Sequence, residues 1–343
     1  MNSANATLET TDAAAVITQA TGEPEVMQCM EVWGGNAQVD ANVSISGLDL
    51  WVYSKPYKQA DAGGDVYYLS SCATGRITRL LVADVSGHGE KVRSTAITLR
   101  DLMRRYVNQL DQTHFVRSLN REFVELSKIG TFATAIVMTF FGPTSYLTLC
   151  NAGHPAPLIY HSAEKRWRLL EDRADHQADD QVVNIPLGID GIVDYEQFGV
   201  ELSRDDLVLC YSDSLMESFG ADGEMLGEAG LLRVVEQLDA TDTTKLIPNL
   251  LAALVGLKPD NLVADDVTAM LFRANGAAAK TVSMRKQMIG ARKVVSNLVR
   301  GLFPGGPPIA LPDLNAANLL GLVSKRFNLS WKSARFTPGE RRR

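Results

Sequence analysis

Cysteine is scarce in this chain, and basic residues are missing from its start. The four cysteines, Cys29, Cys72, Cys150 and Cys210, are far apart and form no Cys-x-x-Cys pair. That argues against a structural zinc site or a disulfide framework. Cys72, Cys150 and Cys210 lie in or beside apolar strand-like runs, where a cysteine is usually a small core residue. A reducing cytosol fits this usage. No Lys or Arg precedes Lys55, so a secretory signal's basic start and a presequence's arginines are both lacking. The longest near-continuous apolar run, Phe132 to Gly142, is too short to cross a bilayer. The expected location is therefore cytoplasmic.

What is present is a soluble composition with a divided charge. Of 343 residues, 45% are hydrophobic and 22% charged, enough for one large domain or two ordinary ones. The net charge of -6 conceals two objects. Residues 276–343 carry thirteen Lys/Arg and two Asp/Glu, a local +11, against -17 for the rest. This predicts three parts: a flexible, Ala/Thr-rich N-terminus over 1–24, a folded domain over 25–275, and a basic tail over 276–343.

Within the folded part, Asp49 to Tyr53 reads as a short strand. Val66 to Cys72 and Ile77 to Ala83 are β-rich runs joined by the hairpin signal Thr74-Gly75. Val92, Ala96, Leu99, Met103, Tyr106 and Leu110 recur at helical spacing, predicting a helix over 90–110 and a second over 113–128. Strands are then expected at Phe132–Phe141, Ser145–Cys150, Leu158–His161, Trp167–Leu170 and Asp206–Tyr211. Helices are expected at Gly230–Leu238 and Thr243–Val255, and a last strand at Val267–Phe272. Hairpins of strands with helices gathered in pairs indicate a layered α+β domain.

The aspartates stand at the ends of these strands. Asp65 follows Gly63-Gly64. Asp84 enters the turn Val85-Ser86-Gly87-His88-Gly89. Asp213 ends the strand Asp206–Tyr211, and Asp265 and Asp266 open the last one. Any single aspartate of this kind is ordinarily a turn residue or helix cap. Four sites together present oxygen ligands suited to Mg²⁺ or Mn²⁺. Two such ions about 4 Å apart can share and acidify one water.

Seven motifs occur in order: Gly63-Gly64-Asp65, Ala83-Asp84-Val85-Ser86-Gly87-His88-Gly89, Phe132-Ala133-Thr134, Asn151-Ala152-Gly153-His154-Pro155, Pro186-Leu187-Gly188, Tyr211-Ser212-Asp213 and Asp265-Asp266-Val267-Thr268. Residues 48–273 resemble the PPM (type-2C) serine/threonine phosphatases, in the bacterial branch similar to the stage II sporulation E phosphatase. The resemblance implies an αββα sandwich of two antiparallel sheets, with metals in a cleft at one end. It implies two Mn²⁺ or Mg²⁺ ions, with room for a third. Asp84 would bridge both, and the Val85 carbonyl would bind one. Asp213 and Asp265 would complete the other shell, with Asp65 on a metal-bound water or further ion. Asp266 ranks below Asp265. The implied activity is hydrolysis of phosphoserine or phosphothreonine on a regulatory protein, such as an anti-sigma-factor antagonist, by a two-metal-activated water.

No protein nucleophile is then needed, and no Cys-x5-Arg signature is present. His88 is the candidate general acid for the leaving oxygen; the alternative is that Gly87-His88-Gly89 only shapes the loop. His154 is read as a turn residue. Two positions depart from the pattern: Tyr68 stands where the family often has a second Asp, and Ser214 where it often has Gly. They motivate a rival, a catalytically impaired phosphatase-fold module that regulates a signalling partner. A carboxylate-based phosphodiesterase is a further rival, opposed by the motif order.

The tail carries an apolar stripe, Met284, Met288, Ala291, Val295, Leu298 and Leu302, amid Arg and Lys. It reads as a solvated appendage, as an amphipathic helix for an anionic membrane or a protein partner, or as a segment docked on the acidic body. Aromatics are scarce there, so nucleic acid is not an expected partner.

Overall fold

The computed structural model describes residues 25–26, 32–71, 76–87, 90–106, 112–126, 130–171, 184–191 and 193–277. Two sheets face each other. The first runs β1 (Glu25–Val26), β3 (Val39–Ile45), β4 (Leu48–Lys55), β13 (Val267–Ala274), β12 (Leu207–Tyr211), β9 (Leu158–His161) and β10 (Arg166–Leu169) in spatial order. The second runs β11 (Phe198–Glu201), β8 (Tyr146–Ala152), β7 (Ala133–Phe141), β6 (Ile77–Val85), β5 (Asp65–Ser71) and β2 (Val32–Gly35). Every pairing is antiparallel except the two-residue contact of β1 with β3.

The two-residue side-chain period divides each strand between two cores. In β5, Tyr67 and Leu69 enter the core between the sheets, with Leu80 and Val82 of β6 and Ile136 and Met138 of β7. Val66 and Tyr68 of β5, with Leu81 and Ala83 of β6, point the other way. They pack under α1 (Glu90–Tyr106) and α2 (Gln112–Leu126) through Val92, Ala96, Leu99, Phe115 and Phe123. On the outer face of the first sheet, Leu209, Tyr211, Ala269 and Leu271 meet α4 (Gly227–Val235) and α5 (Thr243–Leu257). The short helix α3 (Asp213–Met216) contributes Leu215. Strands buried on both faces explain the near-continuous apolar runs, and the result is an αββα sandwich.

The expected helices and strands are found, with ends shifted by a few residues. Four strands and a short α-helix are additions: β1, β2, β3, β11 and α3. The turn signal Thr74-Gly75, the end of the first helix beyond Tyr106, residues 1–24 and the tail from 278 onward lie outside the described residues. No helix among the described residues is long and apolar enough to cross a membrane.

Candidate metal centre

The predicted aspartates gather at one end of the sandwich, where both sheets contribute. In the second sheet Asp65 and Asp84 are directly opposite each other on β5 and β6, and Asp84 is opposite Thr134 on β7. In the first sheet β12 and β13 are antiparallel neighbours. Asp213, just past the end of β12, and Asp265 and Asp266, just before β13, therefore share that edge. Across the gap, the hydroxyls of Thr268 on β13 and Ser212 after β12 favour the ionised form of Asp65 and partly oppose its burial.

The electrostatics are those of crowded like charges. Burial first, then Asp213, Asp265, Asp266 and Glu217, push the Asp84 carboxyl from 3.8 up to about 7. Burial raises Asp65 well above the usual carboxylate range, reinforced by Asp84 and Asp266. Burial, Glu217 and Asp265 raise Asp213, partly opposed by the backbone N–H groups that start α3. Desolvation and mutual repulsion both favour a counter-cation here. The buried Oδ2 of Asp65 has no hydrogen-bond partner, an acceptor left for a ligand.

The two glycines before Asp65 are dictated by this packing. A Cβ on Gly63 would stand 2.5 Å from the Asp266 carboxylate. One on Gly64 would stand 2.8 Å from the Val85 carbonyl oxygen and 2.9 Å from Val92 Cγ1. Gly64 thus leaves the Val85 carbonyl beside the carboxylates. Among the described residues no group of three or more His, Cys, Asp and Glu side chains is arranged to hold a metal ion. The set remains open, hard in its oxygen donors and negative, which fits a divalent cation.

The aspartates differ in what they already hold. Asp266 accepts hydrogen bonds from the backbone N–H groups of Tyr57 at 2.6 Å, Gly64 at 2.5 Å and Asp65 at 3.4 Å. It straps the loop that carries Asp65. Asp265 is exposed and accepts one bond, from the Asp266 N–H at 2.8 Å. Glu217, four residues after Asp213, adds its negative charge to the field at Asp84 and Asp213. No sequence motif marks it, although helical spacing puts it on the same side as Asp213.

Tyr68 is fully buried beneath α1, on the face of β5 opposite to Asp65, so position 68 does not face the carboxylates. Ser214 takes ordinary helical backbone in α3 with no positive φ, so no glycine is required there.

The Asn151–Pro155 motif is a brace. Asn151 accepts from the His154 N–H and donates to the His154 carbonyl, both at 2.8 Å. Gly153 has φ +69 and lies against Pro186, where a Cβ would meet Cγ at 2.7 Å. His154 Nδ1 lies 3.0 Å from Thr134 Oγ1. Burial holds its imidazole down to about 4, against the pull of the Tyr211 backbone. It is a neutral strut beside Thr134, in keeping with a turn-shaping role. His88 lies outside the described residues.

A model of the family described as Stage II sporulation protein E (SpoIIE) matches residues 74–275. Phosphoserine phosphatase RsbU of Bacillus subtilis (strain 168) is 23% identical over 231 residues, covering 66% of this chain and 63% of that protein. The chain thus spans less than two thirds of that relative's length. Among solved structures, the RsbU and RsbW domains of a Mycobacterium tuberculosis protein share 22% identity, with 78% of this chain and 75% of that one covered at a TM-score of 0.55. The PP2C phosphatase domain of SpoIIE from Bacillus subtilis, with a fragment of its regulatory domain, shares 15%, with 72% and 64% covered at 0.53. The SiaA-PP2C domain of Pseudomonas aeruginosa shares 16%, with 65% and 84% covered at 0.53. At these identities the structural likeness is one of fold.

Proposed function

The chain belongs to the stage II sporulation protein E family, and from that premise we propose that it is a metal-dependent protein-serine/threonine phosphatase. The observation that carries the proposal is the meeting of Asp65, Asp84, Asp213 and Asp265 at one edge of two sheets, where burial and crowding make the charges of Asp65, Asp84 and Asp213 costly. The B. subtilis relative named a phosphoserine phosphatase supports the same reaction.

In this reading Asp84, the Val85 carbonyl, Asp213 and Asp265 hold two Mn²⁺ or Mg²⁺ ions, and Asp65 supports them or a further ion. Bound metal supplies an activated water and neutralises phosphoryl oxygens. The chain's own residues do the positioning. Asp266 fixes the Gly63–Asp65 loop, and His154 fixes Thr134 next to Asp84. His88, four residues after Asp84, is placed by sequence to protonate the leaving oxygen.

Tyr68 faces away from the carboxylates, and Ser214 supports Asp213 through its backbone N–H, so neither position gives grounds for a non-catalytic module. The substrate we infer is a serine-phosphorylated regulator of the anti-sigma-factor antagonist kind. The tail from 276 is proposed as a contact for an anionic membrane or a protein partner, and nucleic acid has no part in the reading. The test is hydrolysis of p-nitrophenyl phosphate and a phosphoserine peptide with Mn²⁺, beside a chelated control. Metal-dependent turnover abolished by Asp84→Asn is expected. Equal turnover in the chelated sample would sink the proposal.

A further inference from the structure

The loops at the carboxylate end expose more large apolar side chains than the rest of the described surface. Of six such residues, Phe132, Ile189, Phe219, Met225 and Val263 lie on loops at or next to this end, and only Val255 lies elsewhere, on α5. Two of them form one hairpin, and a third, Val263, lies on the neighbouring loop that braces it. Phe219 and Met225 are partners in an isolated antiparallel bridge, so their side chains sit side by side. The turn between them is closed by the Gly220 N–H to the Glu224 carbonyl at 2.8 Å and the Gly223 N–H to the Gly220 carbonyl at 3.0 Å. Buried Asn261 pins it from below. Its side chain accepts from the Phe219 N–H and donates to the Phe219 and Leu254 carbonyls at 2.8–3.0 Å. Val263 follows two residues later on the same loop that delivers Asp265.

Such a hairpin is held rigid while its apolar surface faces water. Met225 is 54% exposed, Val263 57% and Phe219 36%, with Lys258 stacked 4.1 Å over the Phe219 ring. Exposed apolar patches on a fixed scaffold mark contact surfaces, and pre-ordering removes much of the entropic cost of contact. The position points to the occupant. The hairpin begins two residues after Glu217, whose charge is felt at Asp84 and Asp213, and it is braced by Asn261 four residues before Asp265, which puts it beside the centre, within reach of a chain that presents a phosphoserine there. The rim itself is acidic, with Asp222 and Glu224 in the hairpin and Asp265 beside it, so charge does not draw a phosphoprotein in. Lys258, over the Phe219 ring, is set against these three carboxylates, so apolar contact is the main attraction the patch offers.

We propose that Phe219, Met225 and Val263 form a substrate-docking surface that selects phosphoserine segments flanked by apolar side chains. This rests on the phosphatase reading above. The test uses three probes with Mn²⁺: p-nitrophenyl phosphate, and two short phosphoserine peptides that differ only in carrying leucine or serine beside the phosphoserine. The wild-type chain should favour the leucine peptide in kcat/KM by about tenfold or more, the size expected from burying one large apolar side chain. The double variant Met225→Ser/Val263→Ser should bring that ratio close to one and leave p-nitrophenyl phosphate turnover unchanged. Val255→Ser should keep the wild-type ratio.

No preference in the wild type, or a preference kept by the double variant, overturns the proposal while leaving the phosphatase reading intact. A change of oligomeric state by light scattering with the peptide ratio unmoved would assign the patch to a second copy. A rise in p-nitrophenyl phosphate turnover would assign it to the chain's own 276–343 segment. Either result overturns the proposal. Failure to hydrolyse any of the three probes sinks the phosphatase reading, and this inference with it.

Discussion

Replacing Asp84 by Asn should make the metal-free protein more stable while destroying its response to metal. The carboxyl of Asp84 is raised from 3.8 to about 7 by burial and by four neighbouring carboxylates. At ~1.36 kcal/mol per pH unit, that interval corresponds to about 4 kcal/mol of charge cost in the fold above pH 7. Asp84 keeps some contact with solvent, and screening there makes about 2 kcal/mol the realistic gain from an uncharged isostere. For a domain of this size that is a rise of about 4–8 °C in Tm at pH 8. The sign follows from proton binding. Between pH 3.8 and 7 the native state holds the proton more tightly than the unfolded chain, so the cost is complete above 7 and fades as pH falls to 3.8. The gain from Asp84→Asn should therefore drop to about a third of its pH 8 size at pH 5. Saturating Mn²⁺, at about a hundred times its Kd, should stabilise the wild type by roughly 2.7 kcal/mol and the variant far less. Thermal melts in EDTA and in MnCl₂, at pH 8, 6 and 5, read all of this. A variant less stable than wild type in EDTA at pH 8, or one stabilised by Mn²⁺ as strongly as wild type, would show that the carboxylates serve the fold and not a cation.

His154 should add a slope of the opposite sign. Its imidazole is held at about 4 against an ordinary 6.5, so the unfolded chain binds the extra proton in that window. Its stabilising effect, about 3 kcal/mol at most, is whole above pH 6.5 and lost as pH falls towards 4. Urea titrations of metal-free wild type and His154→Gln should differ by that slope, and identical pH profiles would refute a buried neutral His154. Gly64→Ala places a Cβ 2.8 Å from the Val85 carbonyl and 2.9 Å from Val92, forcing backbone to move at the centre. A folded variant, checked by circular dichroism, should lose about a hundredfold in metal-dependent turnover; wild-type turnover would show that the Val85 carbonyl needs no such clearance.

The parts of the fold that could be read were those where burial writes a simple pattern. β6, β7, β12 and β13 are buried on both faces along almost their whole length, so their apolar runs stand out. β3 was missed because Asp40, Asn42 and Ser44 occupy its less buried face, and that alternation is diluted by polar residues with low strand preference. β2 ends in Gly34-Gly35, which carries no strand signal. Its reason is tertiary: a Cβ on Gly34 would stand 2.7 Å from the Tyr67 carbonyl oxygen. β11 is a four-residue edge strand containing Gly199, and α3 has only four residues. Elements that short are set by their neighbours more than by their own residues.

The centre shows the same division between what a motif encodes and what pairing decides. The aspartates could be named from their glycine and strand-end contexts, because those contexts are local. Which of them still have oxygen atoms to offer could not, because that depends on contacts between residues up to 209 positions apart, such as the Tyr57 N–H to Asp266 bond. Asp265 and Asp266 are adjacent and chemically identical, yet one is exposed while the other is tied to three backbone amides. Tyr68 makes the complementary case. Three residues from Asp65 in sequence, it looked like a missing ligand. The two-residue period of a strand turns it to the opposite face, into the core under α1. Glu217, four residues from Asp213 across a helical turn, is turned by the 3.6-residue period toward the carboxylates. A residue's distance from a metal motif along the chain therefore has meaning only with the period of the element it sits on. By that measure Glu217 is the acidic residue to weigh beside Asp213, and position 68 is not.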